Sequence, residues 1–212
     1  MKKLYHPRRA VSTSALDFAA RICYNKYVNN DARSMIAMNE TKIYDALLTR
    51  RSIRKYKSTP VPDADIDRII AAGLYAPTGR NMQSPIIVAV TNRELRDRIS
   101  RMNAAVMGSD GDPFYGAPAV LIVLADRSCR THVYDGSLVM GNMMLEAHAL
   151  GLGSCWIHRA REVFDTDEGK EILRALGVTG DYEGIGNCII GYPDCPLPEA
   201  PSRHDGRVFY AR

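Results

Sequence analysis

Pro118-Ala119-Val120-Leu121-Ile122-Val123-Leu124-Ala125 is an unbroken apolar stretch of strand length, set behind the Gly/Asp-rich loop Met107–Gly116. A strand with one wet face alternates apolar and polar residues; a strand without alternation is covered on both faces. This stretch therefore reads as an inner strand. Upstream, Pro85–Thr91 reads as a strand and Asn92 caps a helix running to about Val106. Downstream, His132–Leu150 is the longest helical stretch, with Leu138, Met144, Leu145 and Ala149 among its apolar positions. Gly151-Leu152-Gly153 breaks that helix, and Ser154–Ile157 follows as a short strand. Glu168–Leu176 reads as a helix closed by Gly177 at C′, and Asn187–Tyr192 as a last strand.

Further out, Thr41–Arg50 places Ile43, Leu47 and Leu48 on one helical face. Asp63 is expected to cap a helix through about Tyr75, whose apolar stripe is Ile66, Ile69, Ile70 and Leu74. Ala76–Pro85 is a loop of turn formers. Helical residues outnumber strand residues, which makes this an α+β domain. The chain has 212 residues and 23.5 kDa, enough for one large domain or one domain with an appendage. Apolar residues at 46% and charged residues at 25% exclude a disordered chain, a collagen-like repeat and a coiled-coil rod. No run approaches the roughly 20 apolar residues needed to cross a bilayer, so no membrane span is expected.

The net charge of +4 is unevenly spread. Lys2, Lys3, Arg8, Arg9, Arg21, Lys26 and Arg33 face only Asp17 and Asp31 before Met38, leaving the remainder at 21 basic against 22 acidic residues. A near-neutral body argues against nucleic acid, which calls for a broad positive face. Residues 1–38 are expected to be a basic extension, disordered or upstream of a start at Met38, in which Ser14–Tyr27 has the apolar spacing of a short amphipathic helix; residues 39–212 form the domain. Cys23, Cys129, Cys155, Cys188 and Cys195 make no C-x-x-C pair and no Cys/His metal spacing. They read as buried thiols in a reducing cytoplasm, with no metal.

Two clusters invite a chemical reading. Gly151-x-Gly153 fails as a dinucleotide fingerprint, because a helix precedes it and a strand follows it. Arg50-Arg51-Ser52-Ile53-Arg54-Lys55 sits where a helix ends, so it reads either as a solvated helix terminus or as an anion site, since arginine forks plus a hydroxyl match phosphate oxygens.

The order of the motifs decides between these. Arg50-Arg51-Ser52-x-Arg54 is followed by Ala76-Pro77-Thr78-x-x-Asn81-x-Gln83, then Phe114-Tyr115-x-Ala117-Pro118, Gly151-Leu152-Gly153-x-x-Trp156 and Gly191-Tyr192-Pro193. This succession, over residues 39–210, resembles the nitroreductase family of FMN-dependent flavoenzymes. The resemblance implies a three-layer α/β/α arrangement around a mixed, mainly antiparallel sheet. It also implies a homodimer with a swapped C-terminal arm and two FMN sites at the subunit interface. Arg50, Arg51, Ser52 and Arg54 would hold the ribityl phosphate and the pyrimidine edge of the flavin. Pro77, Thr78, Asn81 and Gln83 would come from the other subunit. Trp156, Ile157 and His158 would lie along the isoalloxazine near its reactive nitrogen, and Arg203 would return to the phosphate. Ser84 separates Gln83 from Pro85, where the family often has Gln-Pro followed by an aromatic.

The implied activity is a ping-pong exchange. NADH or NADPH gives a hydride to the flavin and leaves, and a nitroaromatic, quinone or similar small acceptor is then reduced in the same space. The cofactor supplies the chemistry, so no catalytic side chain is assigned. Within the same fold, flavin-cleaving or reductive dehalogenating branches are alternatives, as is a non-catalytic flavin-binding redox sensor.

Overall fold

A computed structural model describes residues 42–211. The readings made for residues 1–38, including the helix over Ser14–Tyr27 and Cys23, lie outside the described residues. The chain divides into a unit Met1–Asp45 and a unit Ala46–Arg212. Of the first, residues 42–45 are helical; the second opens with helical residues 46–49, closed by a hydrogen bond from Arg50 N–H to the Ala46 carbonyl at 3.0 Å.

The second unit is built on four strands, β1 (Pro85–Val90), β2 (Ala119–Asp126), β3 (Gly153–Ile157) and β4 (Tyr182–Gly191), in the order β1-β2-β4-β3. Every pairing in this sheet is antiparallel. The mixed character expected of it is confined to one parallel bridge, Ser52 to Ser154. As its composition requires, β2 is buried along its length: Val120, Ile122 and Leu124 enter one core, and Ala119, Leu121, Val123 and Ala125 the other.

The helices α1 (Asp63–Leu74), α2 (Arg93–Met107), α3 (His132–Ala149), α4 (Ala160–Asp165) and α5 (Asp167–Ala175) divide between these cores. Ile66 and Ile69 of α1 pack with Val139, Met140 and Met143 of α3 on one face. Ile99 of α2, Val163 and Phe164 of α4, and Ile172 and Leu173 of α5 cover the other. This is the three-layer α/β/α arrangement.

Helix termini follow local chemistry. The Asn92 side chain accepts from Leu95 N–H at 2.9 Å, as its position before α2 suggested. Thr166 caps α5 in the same way through Gly169 N–H. Gly177, at φ 80°, closes α5 in the left-handed conformation expected at C′. Asp63 does not cap α1. Pro62 occupies the cap position with no side-chain bond, its carbonyl accepting from Asp65 and Ile66, so Asp63 is the first helical residue and acts only through the helix dipole.

The largest departure is β4, which begins five residues before the expected Asn187. Gly184 and Gly186 give this stretch the look of a turn, yet both are strand residues that allow close approach. A Cβ at Gly184 would lie 2.4 Å from the carbonyl of Ala160, and one at Gly186 2.4 Å from the indole Nε1 of Trp156. A register irregularity against β2 lies at the same place. The short helix α4 is the other element with no counterpart in the sequence reading.

The loop after α2 is held by one ion pair. Arg96, with a side chain only 8% exposed, donates from Nη2 to Asp112 at 2.7 Å and from Nε to the Ala117 carbonyl at 3.0 Å. Asp112 also accepts from the Ser100 hydroxyl and from the N–H groups of Phe114 and Gly116. Burial alone would raise the Asp112 pKa; the bonds from Arg96, Ser100, Gly116 and Phe114 outweigh it and hold the carboxyl below its usual range. Because the folded-state value is depressed, this contribution is present above the unfolded carboxylate pKa and is lost as pH falls through the folded one. Asp112→Asn is expected to lower stability at pH 7 by roughly 1–2 kcal/mol, less than a fully buried pair because the carboxylate is partly solvated. Denaturant unfolding at pH 7 and below pH 4 checks this; the difference should shrink on the acid side.

Candidate functional site

Arg50 through Lys57 leave the helical turn 46–49 and run beside the sheet end. Ile53 N–H donates to the Ser154 carbonyl at 3.0 Å, Lys57 N–H to Tyr192 at 2.9 Å, and Asp194 N–H returns to Lys55 at 3.0 Å. Buried Ile53 and Tyr56 anchor the segment, the Tyr56 hydroxyl donating to the Ile53 carbonyl at 2.6 Å. Burial holds that phenol far above its usual pKa, so it stays protonated. The arginine cluster, the start of β3 and the Gly191-Tyr192-Pro193 turn thus meet at one end of the sheet. Cys188, behind them in β4, is an inert thiol, pushed up to about 12 by burial and then by Cys155. Cys129, Cys155, Cys188 and Cys195 are all free, and no metal-holding cluster occurs among the described residues.

Two guanidinium nitrogens there, Arg50 Nη1 and Arg51 Nε, are buried without a hydrogen-bond partner. The Arg51 Nη1 is spent on the carbonyls of Leu48 and Arg50. A buried cationic donor without an acceptor is costly, and an anion with several oxygens is the group that would satisfy both. This donor set fits a phosphate. His148, at the C-terminal end of α3, sits against the cluster, its Nε2 2.9 Å from Thr49 Oγ1. Its pKa is lowered by burial first and then by Arg50 and Arg51. Ser52 is half-buried and Arg54 exposed.

The Ala76–Pro85 loop carries strain. Arg80, Asn81 and Gln83 have φ of 53°, 55° and 49°, left-handed values that a side chain resists. Gln83 N–H bonds Thr78 Oγ1 at 3.0 Å and its Nε2 bonds Asn81 Oδ1 at 3.3 Å, so both expected cofactor residues are tied to it. What holds the loop is Asp135, a buried carboxylate in the first turn of α3. It accepts from Gly79 N–H at 3.0 Å, from the Ser84 hydroxyl at 3.2 Å and from Thr131 Oγ1 at 3.0 Å. Asp135 is a residue the sequence did not single out; as an acid in a first helical turn, it looks like any dipole-compensating residue. Thr78 is half-buried, and Pro77, Asn81 and Gln83 are exposed.

At the other end of β3, Trp156 is half-buried across Gly186, Ile157 is buried and His158 is exposed. The turn between β3 and α4 is gripped from inside by Asn103 of α2 and Asn187 of β4, both fully buried. Neither asparagine carried a signal in the sequence. Arg203 lies in the exposed stretch after Pro193 that has no regular secondary structure. A cleft of about 950 Å³ lies elsewhere, lined by Arg96, Ser100, Asp110 and Asp112 among others. Arg96 and Asp112 already satisfy each other there, and none of the twelve expected site residues lines it.

The profile of the nitroreductase family matches residues 47–112 and 109–192. An NADH dehydrogenase/NAD(P)H nitroreductase of Archaeoglobus fulgidus is 31% identical over 153 residues, 69% of this chain and 83% of that protein. A protein of the same name from Methanothermobacter thermautotrophicus is 32% identical over 123 residues, 56% of this chain and 62% of that protein. An NADPH-flavin oxidoreductase of Vibrio harveyi is 28% identical over 182 residues, 81% of this chain and 72% of that protein. Among solved structures, a nitroreductase of Bacteroides fragilis with bound FMN superposes with a TM-score of 0.74 at 26% identity, covering 80% of this chain and 98% of that one. Fold and donor set together define a flavoenzyme-type scaffold. The chain belongs to the nitroreductase family.

Two measurements check this geometry. Removing either guanidinium, by Arg50→Ala or Arg51→Ala, is expected to move the His148 titration part of the way back up toward 6.5, read from its ring proton by NMR. Gly186→Ala is expected to displace the indole of Trp156, the chain's single tryptophan, and to shift its fluorescence emission.

Proposed function

We propose that this chain is an NAD(P)H-dependent flavin oxidoreductase that binds FMN and passes a hydride from NADH or NADPH to a nitroaromatic, quinone or similar electron-poor acceptor in a ping-pong cycle. The observation that carries the reading is the pair of buried, unpartnered guanidinium nitrogens on Arg50 and Arg51. Arg50, Arg51 and Ser52 hold the phosphate, and Arg54 places positive charge at the pyrimidine edge, where negative charge gathers on reduction. FMN, when bound, supplies the two-electron chemistry, and the protein's part is to bind, orient and polarise it. Arg203 and Gln83 complete the proposed contacts, and Trp156, Ile157 and His158 form the wall beside the ring.

The partner is a second copy of this chain. Asp135, which holds the Pro77–Gln83 loop, and His148, beside the arginines, lie on the same helix 13 positions apart, about 20 Å at 1.5 Å per residue. One chain therefore presents its two sets of cofactor residues at separated places, and two copies bring opposite sets together. Leu47, Leu48, Tyr134, Leu138 and Phe209 are exposed apolar side chains that a dimer would cover, and the largely exposed arm beyond Pro193 is the segment that crosses to the other copy. No helix of the described residues is long and apolar enough to cross a membrane; free thiols agree with a cytoplasmic protein.

Arg50→Ala is expected to weaken FMN binding by roughly 1.5–3 kcal/mol, about ten- to a hundredfold in Kd, because a charge-assisted contact to a desolvated phosphate is lost. Fluorescence titration with FMN measures it, and wild-type affinity in the variant would refute the phosphate placement. Initial rates with NADH or NADPH against a quinone should give parallel double-reciprocal lines; converging lines would exclude the ping-pong order.

A further inference from the structure

Asn103 and Asn187 are fully buried in apolar surroundings, and both spend their amides on one short turn. Asn103 Nδ2 donates to the His158 carbonyl at 2.9 Å. Asn187 Nδ2 reaches the carbonyls of Ile157 at 3.3 Å and His158 at 3.4 Å. Asn103 Oδ1 in turn accepts from Arg159 Nε at 3.0 Å, and Arg159 stands at φ 73°, a left-handed value for a residue with a side chain. The Asn187 Oδ1 has no partner at all. Across the sheet Asn187 faces Ile122 and Ile157, so an aliphatic residue would suit this position in the core. A buried amide retained with an unsatisfied oxygen is a local cost that packing does not explain.

Peptide geometry shows what the grip achieves. In a planar trans peptide the C=O of one residue and the N–H of the next point in opposite directions, and no described peptide is cis. With the Ile157 and His158 carbonyls drawn inward, the N–H groups of His158 and Arg159 point the opposite way, away from the two asparagines. Two successive N–H groups next to a left-handed residue make a small concave donor site.

We infer that Asn103 and Asn187 are positioning residues that fix the Ile157–Arg159 turn so that the His158 and Arg159 N–H groups form a donor pair for the electron-rich edge of the flavin. The inference rests on the flavin reading proposed above. A hydride brings two electrons and one proton, leaving one negative charge on the ring, and donors fixed in advance stabilise it without reorganising. The asparagines touch neither flavin nor substrate; they act through the turn.

The test compares FMN-loaded wild type with Asn103→Ala and Asn187→Leu, and with Asn142→Ala, which removes an amide-to-carbonyl tie of the same kind between α3 and the Ala72 carbonyl of α1. Melting temperature and the midpoint potential of the bound flavin are read for each. The two turn variants are expected to shift the reduction equilibrium toward the oxidised form by about tenfold, roughly 30 mV for a two-electron couple. Asn142→Ala should lower the melting temperature and leave the potential where it is. Unchanged potentials in both turn variants, or the same shift in Asn142→Ala, overturn the inference.

Should the turn variants fail to fold, amide NMR of the wild type decides. Adding FMN should shift the His158 and Arg159 amides and slow their hydrogen exchange. Shifts at Ser52 without any at His158 or Arg159 sink the positioning role alone, whereas no shift at any of the three sinks the flavin reading with it.

Discussion

Strand β2 has no face that meets water, and the rest of the fold answers to that. Its side chains alternate between two cores, so helices must close both sides of the sheet, and the helices that do so carry the site. On one side, α3 packs through Val139, Met140 and Met143 and thereby sets where Asp135 and His148 stand. On the other, α2 packs through Ile99 and delivers Asn103 to the turn after β3. A hydrophobic requirement at the centre therefore fixes the polar groups at the rim.

Other groups at the rim are held in states that cost free energy in the chain as it stands. Arg50 and Arg51 keep buried donors unpaired, His148 is disfavoured from carrying charge, and Arg80, Asn81 and Gln83 adopt left-handed backbone. Structural ion pairs look different. Arg96 with Asp112, and Arg127 with Asp165, Asp181 and Glu183, satisfy one another. The contrast separates a prepared binding site from a brace, and it does so without reference to size, since a cleft of about 950 Å³ belongs to the brace.

The sequence made the elements legible because apolar periodicity is a local property: the double-faced burial of β2, the Asn92 cap and the Gly177 terminus could all be read residue by residue, whereas the three-layer arrangement came from the family resemblance. It also placed the arginine cluster and the Ala76–Pro85 loop. It did not reveal the first half of β4, where Gly184 and Gly186 answer to Ala160 and Trp156, residues distant in sequence. For the same reason it gave no sign of Asp135, Asn103 or Asn187. Each is an ordinary polar residue whose meaning comes from a partner 29 to 56 positions away along the chain.

The placement of Asp135 and His148 on a single uninterrupted helix has a consequence for how this protein can vary. A helix does not stretch, so it works as a ruler between the strained loop and the arginine cluster. One residue inserted between those two positions would move one end by about 1.5 Å and swing it by about 100° around the axis, taking it out of reach of its loop. The length of that segment therefore admits no change in either direction.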